Sequence, residues 1–104
     1  MGINEDSGEV ISLELAQEMV NEFRSKYPDL PKGFFVGKSN IKLILDQKDC
    51  IGIRSYNGID DKTGKQTLVL VGVGKDLKDM TDGYILDRAV PCPTDCDKDS
   101  PLNI

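Results

Sequence analysis

The chain has 104 residues, enough for one small core and little more, with 38% hydrophobic and 30% charged residues. Its 18 acidic residues outweigh 13 basic ones, giving a net charge of -5, and no stretch gathers Lys and Arg into a face that could release counterions from a phosphate backbone. Nucleic acid and anionic membrane surfaces are thereby excluded as expected partners, and the lack of any histidine removes the commonest neutral-pH general base and metal ligand.

Residues 1–10 read as a flexible leader, with acid at Glu5, Asp6 and Glu9. Its start resembles a myristoylation site, but Asp6 stands where that pattern wants Ser or Thr. A secretory signal would need a basic region and an apolar run, and neither is there; no segment approaches a membrane span. The expected compartment is the cytoplasm, where cysteines are kept reduced.

Ser12 is placed to cap a helix, with Glu14 favourable in its first turn. Leu15, Ala16, Met19, Val20, Phe23 and Tyr27 then follow helical spacing, up to a stop before Pro28. This spacing expects Phe23 to lie mid-face against a core. Residues 28–33 form a linker, followed by the apolar Phe34, Phe35 and Val36. Ser39 or Asn40 can cap a second, shorter helix through Gln47, with Ile41, Ile44 and Leu45 facing inward. The same stretch also allows alternation of Ile41, Leu43 and Leu45, but Ile44 breaks it, so the helix is the adopted reading.

From Cys50 to Tyr56 the pattern is that of a strand, and Gln66 to Val73 is a stronger one, apolar on both faces and so expected at a central position. Asn57-Gly58 and the run Lys62 to Lys65 supply turn chemistry for a long-looped hairpin. A turn over Asp79 to Gly83 precedes a third short strand, Tyr84 to Arg88. The predicted fold class is α+β: two N-terminal helices packed on a small, mostly antiparallel three-stranded sheet, with an irregular C-terminal tail. Residues 11–90 form the single domain and 91–104 the tail.

Most sequence patterns that suggest chemistry fail on spacing. Gly33 to Gly37-Lys38-Ser39 ends like a phosphate-binding loop, but that loop needs four residues between its glycines and here there are three. Asp76, Asp79 and Asp82 lack the alternation and closing acid of a calcium loop. No catalytic set emerges; carboxylates, Lys or Tyr could still catalyse, so an enzyme is not excluded, but every histidine-dependent plan is and a non-enzymatic protein is the favoured expectation.

The cysteines remain. Pro93 after Cys92 suits a β-turn that would bring Cys92 and Cys96 within disulfide range, and Cys50 could supply a third sulfur. Three thiolates with Asp95 or Asp97 would make a chemically reasonable zinc site, although zinc motifs normally use two closely spaced pairs. Otherwise Cys50 is a small buried hydrophobe and the other two are free thiols. A small sheet leaves edge strands available for pairing, and Gly52 to Tyr56 offers an amphipathic edge on which Arg54 and Tyr56, residue types favoured in interfaces, mark a candidate interaction surface; they read equally well as ordinary exposed strand residues.

The helix opening Ile11-Ser12-Leu13-Glu14, Cys50-Ile51-Gly52-Ile53-Arg54, Leu68 to Val73, Asp79-Met80, and the ending Pro91-Cys92-Pro93 through Cys96 with Pro101-Leu102 together resemble a group of short bacterial proteins of uncharacterised function. The resemblance implies a stand-alone bacterial protein and brings no activity, substrate or cofactor; a monomer or a homodimer is expected independently of it. The expected function is a small non-enzymatic binding or interaction module with a protein partner. The alternative is a thiol-based zinc-binding or redox protein using the C-terminal cysteines.

Overall fold

Helix α1 occupies Leu13–Lys26 in the computed structural model, which describes residues 2–104. Ser12 sits in extended backbone before it, and its hydroxyl accepts a hydrogen bond from the Leu15 N–H at 3.1 Å. Glu14 in the first turn and Arg24 and Lys26 in the last complement the helix dipole. Tyr27 closes the helix on the Phe23 carbonyl, and Pro28 bars its continuation. The apolar stripe is less covered than its spacing suggests. No residue of α1 is buried, and Phe23 is 39% exposed, resting against Tyr27 with ring centroids 5.2 Å apart.

The other elements follow in the order β1 (Gly33–Phe35), α2 (Lys38–Leu45), β2 (Cys50–Ile59), β3 (Gln66–Gly74), β4 (Ile85–Leu86) and β5 (Val90–Cys92). The protein is α+β, but its helices and strands fall into two compact units: Val36–Ala89 with the segment ending at Ser7, and Gly8–Phe35 with Val90–Ile104. Two expectations need correction. Only α2 shares a unit with the three-stranded sheet, and the tail is not wholly irregular, because β5 pairs antiparallel with β1. Pro91 stands opposite Phe34 in that pair, where a two-stranded sheet tolerates a residue with no N–H.

In the first unit β2, β3 and β4 form an antiparallel meander with β3 in the middle, as the two-faced apolar pattern of β3 requires. Asn57-Gly58 does not turn the chain; both residues stay in β2, and the reversal is made by Asp60 to Lys65. There the Asp60 carboxylate accepts from the Lys62 and Thr63 amides, and Gly64 takes the left-handed conformation, φ 70°. The third strand is shorter than expected, just Ile85 and Leu86 beside Leu70 and Val71.

Helix α2 is capped by extended Gly37 and not by Ser39 or Asn40. Its inward residue is Ile44, fully buried; Ile41 is half-buried and Leu45 is exposed. The helix comes close to β3 at Gly72. A Cβ there would lie 2.9 Å from Gln47 Nε2, 3.1 Å from Cys50 Sγ and 3.2 Å from Ile44 Cγ2. Gln47 donates to the Ile44 carbonyl at 3.0 Å and accepts from the Tyr84 N–H at 3.1 Å, which ties the turn before β4 to the end of α2. Leu70, Val71 and Val73 of β3 complete the buried set with Ile44.

This packing sets an order of sensitivity. Ile44→Ala should cost about 2–5 kcal/mol. Gly72→Ala should cost about 1–3 kcal/mol by overpacking. Phe23→Ala, at an exposed position, should cost less than Ile44→Ala. Urea midpoints of the three variants check the ranking, and a Phe23→Ala loss as large as that of Ile44→Ala would contradict it.

Candidate functional site

The hydrogen bonds of β3 reveal which side of β2 is open. The Gly72 carbonyl accepts from the Met80 N–H at 2.8 Å, the Gly74 N–H donates to the Lys78 carbonyl at 3.0 Å, and Leu70 pairs with Leu86. Even-numbered residues of β3 thus direct their backbone groups toward β4, and Val69, Val71 and Val73 direct theirs toward β2. Through the register Val73↔Gly52, Val71↔Arg54 and Val69↔Tyr56, the even-numbered residues of β2 bond to β3. Ile53, Ser55, Asn57 and Ile59 therefore turn N–H and C=O to the other side. None of them bonds there to another backbone group of the described residues.

The two faces of β2 differ. Ile53 lies opposite Gly72, so Ile53, Ser55, Asn57 and Ile59 project on the α2 side. Arg54 and Tyr56 project on the opposite face, and both are held by Asp79. One Asp79 carboxylate oxygen accepts from Arg54 Nη1 and the other from the Tyr56 hydroxyl. Asp79 is delivered by the turn after β3, where it bridges Val73. The Arg54 and Asp79 side chains are partly buried, 31% and 21% exposed, whereas Tyr56 is 47% exposed.

The Tyr56 hydrogen bond, reinforced by Arg54, holds the Asp79 carboxyl below the ordinary carboxylate range. The same carboxylate raises Arg54 and Tyr56 above their ordinary values, in each case chiefly through the hydrogen bond to Asp79. The two candidate interaction residues are thus fixed in place by a third residue, 23 and 25 positions away in the chain. No local pattern announced Asp79, which the sequence places only at the start of an aspartate-rich turn.

Beside this cluster an open hollow of about 490 Å³ is lined by Lys48, Asp49, Lys75, Asp76 and Asp82 among others. Lys75 pairs there with Asp49 at 3.1 Å, and Asp76 accepts from the Lys78 backbone amide. Among the described residues no group of three or more Cys, Asp or Glu is arranged to hold a metal ion.

The cysteines separate. Cys92 and Cys96 are joined in a disulfide with Cα atoms 4.9 Å apart, inside a turn closed by the Asp95 N–H on the Pro91 carbonyl. The Lys32 N–H donates to the Cys92 carbonyl at 2.6 Å, anchoring the turn beside β1. Bonded to each other, these sulfurs are not thiolate ligands. Cys50 belongs to the other unit, is half-buried beside Gly72, and donates to the Gly52 carbonyl at 3.3 Å.

No helix of the described residues is long and apolar enough to cross a membrane. Comparison with protein-family models, with curated proteins and with solved structures returns no match to this chain.

The Asp79 cluster makes stability depend on pH. The folded carboxyl titrates below its unfolded value, so the unfolded chain takes up the proton first as pH falls. The contribution is complete above the ordinary Asp value of about 4 and drains away as pH drops through the folded value. The stability gap between the wild type and Asp79→Asn should accordingly be widest near neutrality and narrow on acidification in denaturant titrations. A gap that holds constant with pH would contradict the cluster.

Proposed function

We propose that this chain is a small non-enzymatic interaction module of a bacterial cell whose binding element is the open edge of β2. The carrying observation is the outward row of backbone groups on Ile53, Ser55, Asn57 and Ile59. Edge strands are normally blunted by shortness, Pro, Lys or a covering segment, because their unpaired amides template another strand. Here β2 is ten residues long and contains neither Pro nor Lys; its one irregularity lies at the Cys50/Gly52 end, where Ile3, Asn4, Glu5 and Ser7 share a hollow with Ile51 to Arg54, while Ser55, Asn57 and Ile59 are exposed. The Asp79 cluster holds Arg54 and Tyr56 on the adjoining face, which pre-orders side chains that would flank an added strand. With a net charge of -5, the partner is a protein strand rather than nucleic acid or a membrane surface. The cytoplasm is the proposed compartment.

A second reading rests on the disulfide. In a reducing compartment a Cys92–Cys96 bond would cycle with a dithiol, two electrons and two protons opening it to two thiols. Closing a loop of this size contributes about 2 kcal/mol in the chain-entropy account. This reading predicts reversible oxidation in glutathione buffers of graded potential, with Cys96→Ser abolishing the transition. Two cysteines that stay fully oxidised or fully reduced across the physiological range would contradict it.

The edge reading is checked by residue-resolved amide exchange in dilute, purified protein. Arg54, Tyr56 and Gly58 amides should be protected through β3, and Ile53, Ser55, Asn57 and Ile59 amides should exchange rapidly. Protection of those four in protein shown by sedimentation to be monomeric would show the edge closed within the chain, and would overturn the proposal.

A further inference from the structure

We infer that the open edge of β2 takes a second copy of this chain, paired antiparallel about a two-fold axis at Tyr56. The inference rests on the edge reading above and names the partner. An antiparallel pair of identical strands closes on itself, and its hydrogen-bonded positions must be those whose backbone groups face outward. With the axis at Tyr56, Ile53 meets Ile59 of the second copy and Ser55 meets Asn57, so all four outward residues of each strand find a partner. An axis at Ser55 would instead set Ile59 against Ile51, beyond the irregularity at Cys50/Gly52. An axis at Asn57 would carry Ile53 past the end of the other β2.

Side-chain chemistry favours the same register. On the α2 face the pairs are apolar with apolar, Ile53 with Ile59, and polar with polar, Ser55 with Asn57. On the other face Tyr56 meets Tyr56 as an aromatic cross-strand pair. Arg54, the only charged residue of β2, meets Gly58 and no like charge. Ile59 is 72% exposed in the single chain, so pairing covers apolar surface that is otherwise wet. The product is a continuous six-stranded sheet with each long β2 at its centre, leaving only the two-residue β4 at either rim.

Sedimentation across a dilution series, combined with amide exchange, tests the pairing. The wild type should show a monomer–dimer equilibrium, and protection of Ile53, Ser55, Asn57 and Ile59 amides should rise with the dimer. Asn57→Pro removes an outward N–H without touching the β2–β3 ladder, and should weaken the dimer about tenfold or more while circular dichroism stays native. Gly58 has room for a side chain, its Cβ meeting Val69 Cγ2 at 3.5 Å. Gly58→Lys, facing Arg54 of the other copy, should weaken association about threefold or more, and Gly58→Glu should strengthen it, both effects fading with salt.

A chain monomeric at all concentrations, with the four amides in fast exchange, would overturn self-pairing and leave the edge open to another strand. Slow exchange of the four amides in a chain that sediments as a monomer would overturn both the pairing and the edge reading. A dimer indifferent to Asn57→Pro, or responding alike to Gly58→Lys and Gly58→Glu, would overturn this interface and its register.

Discussion

Everything in the first unit depends on β3 spending its backbone hydrogen bonds in both directions. On one side it binds β2 along its full length; on the other it binds Leu86 and Ile85, then the turn at Lys78 to Met80. That double use buries β3 and lets α2 seat Ile44 over Gly72, where only a hydrogen side chain leaves space. It also delivers Asp79 to the far face, where its carboxylate locks Arg54 and Tyr56. β2 has no such second side, and the functional account follows from that asymmetry. Buried strands satisfy their amides within the protein, whereas the outward amides of a long edge are left to solvent, and on the proposed function to another strand.

The second unit is held by different means. None of its described residues is buried, and domains this small seldom hold together without a staple. Here the staples are the Cys92–Cys96 disulfide, the β1–β5 pair, and two long-range side-chain bonds: Lys32 Nζ to Asn103 Oδ1 at 2.7 Å and Gln17 Nε2 to the Pro101 carbonyl at 3.3 Å. These bonds fold the tail back onto its own unit, so the chemistry of Cys92 and Cys96 is tied to the order of residues 90–104.

How much of this could be read from the chain varies with the range of the forces involved. The first helix was legible because its signals are local: Ser12 caps, the apolar spacing repeats, and Pro28 stops it. β3 was legible from its unbroken apolar run. Gly37 as a cap was not, since it acts through backbone conformation and has no side chain to announce it. β5 was hidden by Pro91, which argues against a strand unless the strand is known to lie at an edge. For the site, Arg54 and Tyr56 could be singled out by residue type and the Cys92–Cys96 pair by spacing. Asp79, which organises the first two, could not be, because a contact across 23 residues leaves no periodic trace. The edge position of Gly52 to Tyr56 could be expected of a small sheet, but which backbone groups of β2 face outward could not, since that depends on the register the strands adopt.

The two-fold pairing at Tyr56 is tested most directly by a nuclear Overhauser experiment on a mixture of isotope-labelled and unlabelled chains. Tyr56 turns its backbone groups toward β3, so across the axis it forms a non-hydrogen-bonded pair with its own copy, Cα atoms about 4.5 Å apart. The account predicts an intermolecular Hα–Hα contact from Tyr56 to Tyr56, seen only in the mixed sample. A dimer in which that contact is missing, and whose intermolecular signals arise from other residues, would contradict it.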